Sequence, residues 1–241
     1  MPELEPPPAL PENAALFLDF DGTLVDLADT PDSIRVPAGL APLLEQLRQR
    51  LRGRLAIVSG RSLADLDRHL PASGIAFSGS HGLELRLADG ARVPLSVPIG
   101  LDNVNDEVRR FAAEIPGLIA EEKPAGIALH YRLAPDAEEH VQGFMEDLAE
   151  RHGFSVQRGS MVIELRTLGA TKGDALRAFM TEQRFAGARP WFVGDDLTDE
   201  HGFEAAADLG GVGILVGPPR QTAARFRLAS VAAVRRWLEA A

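Results

Sequence analysis

Ala14-Ala15-Leu16-Phe17-Leu18-Asp19-Phe20-Asp21-Gly22-Thr23-Leu24 is an apolar run that discharges into two carboxylates. A short, continuous apolar stretch of this kind predicts a strand over 14–20 that is buried on both faces, as in a parallel sheet. Asp19 and Asp21 then leave its carboxyl end, where open α/β sheets bind their ligands. Two like charges held together out of water are costly unless a cation or partner compensates them. Gly22 lets the chain turn sharply behind the strand. The plain alternative is an acidic surface turn. An EF-hand loop is excluded, because the glycine falls too early and the closing glutamate is missing.

Working outward, strands and helices alternate. Leu40, Leu43, Leu44, Leu47 and Leu51 recur at helical spacing. Arg54–Gly60 predicts a second buried strand, Ser62–Leu70 a helix and Ile75–Gly82 a third strand. Residues 83–95 alternate apolar and polar about an Asp89-Gly90 turn, which predicts a hairpin. After a change of pattern, the series resumes with a helix over 172–180, a strand over 190–196, a helix near 199–208, a last strand over 212–217 and a terminal helix. Such a βα series implies a parallel sheet.

Between these halves lies an α-β-β-α-β-β unit. Val104, Val108, Phe111 and Ile115 mark one helix; Val141, Phe144, Met145 and Leu148 mark another, with Gly153 as its cap. Strand candidates fall near 117–122, 126–132, 154–158 and 161–166. The fold class is therefore α/β: a Rossmann-like parallel sheet core, 14–96 and 168–241, with an inserted α+β cap domain over 97–167. The stretches 96–100 and 166–171 are the expected hinges. The acidic, proline-rich residues 1–13 read as a loose tail.

Three further stretches carry chemistry. In Gly194-Asp195-Asp196-Leu197-Thr198-Asp199-Glu200 a buried strand again ends in acids. Asp19, Asp195, the Asp21 carbonyl and a phosphate oxygen make a plausible set of hard ligands for Mg²⁺, with Asp196 and Asp199 just behind. Glu200 reads as simply loading the first turn of a helix, where its charge suits the dipole. Ser59-Gly60-Arg61 follows the second strand, where a hydroxyl and backbone amides can hold a phosphate oxygen. Lys172 opens a helix against the dipole preference, and charge neutralisation on a phosphoryl group would account for it.

Composition narrows the classes. The 241-residue chain carries a net charge of −10, which argues against a nucleic-acid partner. No cysteine is present, so thiolate chemistry is excluded. The N-terminus lacks the pattern of a signal peptide, and no apolar run approaches the ~18 residues of a membrane span, so no membrane partner and a cytoplasmic location are expected.

The order of these motifs resembles the haloacid dehalogenase superfamily of phosphatases over the whole core. The resemblance implies that Asp19 attacks phosphorus and that Asp21 is the general acid and base. It also implies that Mg²⁺ bridges Asp19, the Asp21 carbonyl and Asp195, while Ser59 and Lys172 hold the phosphate.

Gly79-Ser80-His81-Gly82-Leu83-Glu84, Glu121-Glu122-Lys123-Pro124, His130-Tyr131-Arg132 and Met161-Val162-Ile163-Glu164-Leu165-Arg166 extend the likeness to the trehalose-6-phosphate phosphatases, over nearly the whole chain after residue 13. That family implies a small phosphosugar partner. It implies Glu121, Lys123 and Glu164 on the distal glucose, Arg132 as a clamp toward the phosphate, and Arg61 and His81 at the mouth. Each could instead be an ordinary solvated edge or loop residue. Sucrose phosphate and mannosyl-phosphoglycerate are rival substrates, and a non-catalytic phosphosugar sensor is a rival class. With only about thirteen residues before the first strand, no fused synthase domain is expected.

Overall fold

The computed structural model describes residues 4–27, 34–70, 74–93, 101–123, 126–159, 161–167 and 171–241. The first strand, β1 (Ala14–Leu18), is buried throughout and lies at the centre of an eight-stranded sheet. Its alternate side chains enter two different cores. Leu16 and Leu18 join one apolar cluster with α1 (Leu40–Arg50) and α2 (Leu63–His69); Ala15 and Phe17 join another on the opposite face. A fully buried Leu or Phe contributes about 1.5–3 kcal/mol, so this two-sided burial strongly specifies where the strand sits.

The sheet continues through β2 (Leu55–Val58) and β3 (Ala76–Gly79), then turns antiparallel in the hairpin β4 (Glu84–Arg86) and β5 (Arg92–Val93). Between residues 101 and 167 lie α3 (Leu101–Glu114), β6 (Ile119–Lys123), β7 (Gly126–His130), α4 (Glu138–His152), β8 (Phe154–Gly159) and β9 (Val162–Thr167). The sheet then regains α5 (Lys172–Thr181), β10 (Arg189–Gly194), α6 (Glu200–Asp208), β11 (Val212–Val216), β12 (Phe226–Leu228) and α7 (Val231–Glu239). Its order is β12-β11-β10-β1-β2-β3-β4-β5, parallel from β12 to β3. Strand order therefore reverses between β1 and β10, which is the switch point where doubly wound sheets bind ligands.

The strand at 212–217 is not the last. β12 pairs with β11 beyond it, too short and too polar to show as an apolar run. Residues 4–13 hold no helix or strand, yet they are not loose. Leu10 is buried in the core; Arg50, Arg54 and Trp237 donate to the carbonyls of Leu10, Glu12 and Pro8, and the Arg227 amide donates to Glu5. Proline removes backbone donors but leaves every carbonyl as an acceptor, and these donors use them.

The chain divides into two compact units, Met1–Leu95 with Ala170–Ala241, and Ser96–Gly169. The second is a four-stranded antiparallel sheet, β6-β7-β9-β8. One face is covered by α3 and α4, whose Phe111 and Phe144 stack at 4.0 Å. The expected hinge at 96–100 and residues 168–170 of the other lie outside the described residues. Among the described residues no helix is long and apolar enough to cross a membrane.

Candidate active site

Asp19 is the first residue beyond β1 and is 3% exposed. Its amide donates to Val193 O of β10, which locks the two strand ends together across the switch point. Asp195 follows β10 directly. Gly22, at φ +76°, lets the chain turn against it: a Cβ on Gly22 would lie 2.1 Å from Asp195 Oδ2, so no side chain fits there.

Lys172 is the first residue of α5, held there by a capping box between Thr171 and Asp174. It is 3% exposed, and its Nζ donates to Asp19 Oδ1 at 2.7 Å and to Asp199 Oδ1 at 2.6 Å. That explains a lysine at a helix N-terminus: two buried carboxylates outweigh the unfavourable dipole. Asp199 is fully buried, and its second oxygen accepts from the Asp196 amide at 2.9 Å. The sequence reading sets Asp199 just behind the expected ligands Asp19 and Asp195, and its carboxylate lies close to both. One oxygen each from Asp19, Asp195 and Asp199 lies within 4.8 Å of the others.

Burial sets the electrostatics. It pushes Asp19 up to about 6 against the pull of Lys172, Asp195 up to about 6 with help from Asp199, and Asp199 up to about 7 with help from Asp19. Burial works to lower Lys172, but Asp19 and Asp199 outweigh it and hold the ammonium charged. Three carboxylates face one ammonium, an excess of negative charge that a divalent cation would neutralise; all the donors are hard oxygens, as Mg²⁺ or a similar ion requires.

A pH prediction follows. Raised values mean that the folded chain binds these protons more tightly than the unfolded chain. The stability they contribute is complete below the ordinary aspartate value of 3.8 and is lost as pH rises through about 6 to 7. In chelator, the melting temperature should fall by several degrees more between about pH 4.5 and 7.5 than it does with a divalent cation present. Calorimetry at matched pH checks this. Identical slopes in the two conditions would mean that no cation uses these carboxylates.

On the other side of the site, Arg61 makes a forked pair with Asp21, Nε to Oδ2 at 2.6 Å and Nη2 to Oδ1 at 2.9 Å. Its Nη1 donates to Asp65 Oδ2 at 2.6 Å. Ser59 directly follows β2, is 1% exposed, and its Oγ accepts from the Arg61 amide at 3.1 Å. His81 follows β3 with its ring against Gly60. Arg61, Asp65, His81 and Lys172 line one cavity of about 600 Å³ with Asp19, Asp21 and Asp195.

Sequence reading missed several contributors. Asp65 carries a local signal, since it lies one helical turn beyond Arg61. Glu200 does more than load a helix: it pairs with Arg220 and accepts from Thr222 Oγ1 at 3.1 Å and the Ala223 amide at 2.7 Å. Arg220 in turn donates to the Asp196 carbonyl at 2.9 Å, which braces the acidic turn from a loop over twenty residues away. Nothing in the local sequence marks that pairing.

In the second unit, the register Glu121↔Ala128↔Glu164 puts both glutamates on one face of the sheet, with Lys123 and His130 two residues along. Lys123 Nζ lies 3.3 Å from Glu164 Oε2, and His130 Nε2 lies 2.8 Å from Glu121 Oε2. Ala128, which pairs between the two glutamates, is fully buried. Arg132 is exposed on the turn after β7.

A phosphatase of the haloalkanoate (HAD) superfamily from Bacteroides thetaiotaomicron shares this fold: it superposes with a TM-score of 0.64, covering 95% of this chain and 96% of that one at 18% identity. The family model described as trehalose-phosphatase matches residues 17–232. A probable trehalose-phosphate phosphatase of Sinorhizobium fredii is 41% identical, over 86% of this chain and 79% of that one. The trehalose-6-phosphate phosphatase of Escherichia coli is 36% identical over 96% and 88%. The chain belongs to the trehalose-phosphatase family.

Proposed function

We propose that this protein hydrolyses trehalose 6-phosphate to trehalose and phosphate, with Mg²⁺ and an aspartyl-phosphate on Asp19. The observation that carries the reading is the Lys172-bridged pair of Asp19 and Asp199 beside Asp195, at the carboxyl ends of the two strands flanking the switch point. Family membership supports the choice of substrate.

The steps use this chain's own groups. A carboxylate oxygen of Asp19 attacks phosphorus, and the bond from phosphorus to the sugar oxygen breaks. Asp21 supplies the proton to that oxygen. Water then attacks the aspartyl-phosphate while Asp21 takes its proton back, which frees phosphate and restores Asp19. Arg61 orients Asp21 through two hydrogen bonds. Lys172 and the Ser59 turn hold phosphoryl oxygens. Held by Asp19, Asp195 and the Asp21 carbonyl, Mg²⁺ would supply charge neutralisation on the transferring group.

The inserted unit is read as the sugar-recognising cap, with Glu121, Lys123 and Glu164 on the distal glucose, Arg132 toward the phosphate, and Arg61 and His81 at the mouth. The polar face that carries both glutamates and Lys123 supports this, because carboxylates accept from sugar hydroxyls and an ammonium donates to them.

Phosphate release tests the proposal. Trehalose 6-phosphate should be the preferred substrate over sucrose phosphate, mannosyl-phosphoglycerate and glucose 6-phosphate. EDTA should reduce turnover to background and Mg²⁺ should restore it. Ca²⁺ should inhibit, because its larger and looser coordination shell misplaces the nucleophile. Full turnover in metal-free buffer would remove Mg²⁺ from the reading, and an equal rate on all four substrates would remove trehalose 6-phosphate.

A further inference from the structure

Ser80, His81 and Gly82 all have positive φ, at +49°, +58° and +110°. Two residues with side chains in the left-handed region are strained, and such a conformation persists only where its surroundings over-determine it.

Three sets of contacts do so here. The Ser80 amide donates to Arg61 O at 2.7 Å and the His81 amide to Ser59 O at 3.0 Å, so consecutive amides reach back onto the phosphate-holding turn. On the other side, a Cβ on Gly82 would lie 2.4 Å from Thr171 O, so the strained turn is seated against the residue that caps the Lys172 helix. The third set belongs to Glu84, which begins β4 opposite Gly79. Its Oε1 accepts from Ser80 Oγ at 2.7 Å and from the Leu63 amide, the first of α2, at 3.3 Å. One carboxylate oxygen thus ties the strained turn to the helix that follows Arg61. The product of this arrangement is the stance of one ring. His81 lies so close over Gly60 that a Cβ there would meet Cε1 at 2.6 Å, and both residues line the cavity of the reacting aspartates.

We propose that Glu84 is a positioning residue: it holds Ser80-His81-Gly82 in the left-handed conformation and so places the His81 imidazole against the leaving sugar of the substrate. Glu84 itself touches no reacting atom. Only the choice of substrate rests on the functional reading above. A glutamate that merely capped α2 would affect stability and nothing else, so the test must couple Glu84 to His81.

The experiment measures kcat and KM on trehalose 6-phosphate and on a small aryl phosphate for Glu84→Ala, Glu84→Gln, His81→Ala and the double variant Glu84→Ala/His81→Ala. Both single alanine variants should raise KM for trehalose 6-phosphate by about fivefold or more, and raise it by clearly less for the small aryl phosphate, which lacks the sugar that the ring faces. The double variant should be no worse than His81→Ala alone, because coupled residues do not add. Glu84→Gln keeps an acceptor oxygen for Ser80 and Leu63 and should recover most of the loss. Additive losses, or a His81→Ala variant with wild-type constants, would overturn the proposal. A second readout does not depend on the substrate. Among the chain's six histidines, the ring resonance that vanishes in His81→Ala should shift in Glu84→Ala and stay close to wild type in Glu84→Gln. An unmoved His81 resonance in Glu84→Ala overturns the proposal even if the wild-type protein proves inert toward trehalose 6-phosphate, an outcome that would defeat the functional reading instead.

Discussion

Asp19→Asn should lower phosphate release by at least about a thousandfold while the protein stays folded. The amide has nearly the same shape, but its oxygen is no longer a nucleophile. The fold has little reason to suffer. The main-chain bond from residue 19 to Val193 O does not involve the side chain, and Lys172 keeps its bond to Asp199 at 2.6 Å. Burial already holds Asp19, Asp195 and Asp199 above the usual carboxylate range. Removing one of three crowded negative charges relieves repulsion, so the melting temperature in chelator should be no lower than that of the wild type. Rapid acid quench of the wild-type protein with substrate, followed by peptide mapping, should find phosphate on Asp19. Asp21→Asn should separate the two half-reactions. With an aryl phosphate, whose leaving group needs no proton, Asp19 should still be phosphorylated, but hydrolysis of the intermediate should slow by about a hundredfold or more. Labelled phosphate on any other residue would overturn the mechanism, and a near wild-type rate for Asp21→Asn would remove Asp21 from proton transfer.

What could be read in advance follows from the range of each interaction. β1 was legible because burial on both faces leaves an unbroken apolar run, and the acids stand out because they end it. α3 and α4 were legible by their helical period, and the change of pattern near 96 marked the inserted unit. β12 was not legible: Phe226-Arg227-Leu228 is a strand only because β11 offers it a free edge. Residues 4–13 misled for a related reason. Composition reports that they bury little of their own, but cannot report that Arg50, Arg54 and Trp237 wait for their carbonyls. In the site, Asp19, Asp21 and Asp195 could be placed by the strands they leave. Asp199 beside Lys172, Arg220 on the Asp196 carbonyl and Glu84 on Ser80 depend on where side chains point once the sheet is assembled, and no local pattern encodes that.

Glucose 6-phosphate should be a poor substrate, with kcat/KM at least roughly a hundredfold below that of trehalose 6-phosphate. It presents the same reacting group and lacks only the distal ring. If Glu121, Lys123 and Glu164 bind that ring, their remote binding energy is used to align the phosphate, so its loss lowers kcat as well as raising KM. Hydrogen bonds to charged groups are worth about 1.5–3 kcal/mol each, and losing two reaches a hundredfold. The structure ranks the contributors. The Glu164 side chain is 15% exposed and already paired with Lys123 at 3.3 Å, so its geometry is set before substrate arrives. The Glu121 side chain is 53% exposed, where a hydrogen bond competes with water. Glu164→Ala should therefore erode the preference for trehalose 6-phosphate by about tenfold or more, and Glu121→Ala by less. Neither should change the rate on a small aryl phosphate, because both lie in Ser96–Gly169 while Asp19, Asp21 and Asp195 belong to the other unit. Measuring kcat/KM on all three substrates for the wild type and both variants decides it. Equal losses on the disaccharide and the aryl phosphate would mean that these residues support folding or turnover in general, and the assignment of the distal sugar to this sheet would have to be withdrawn.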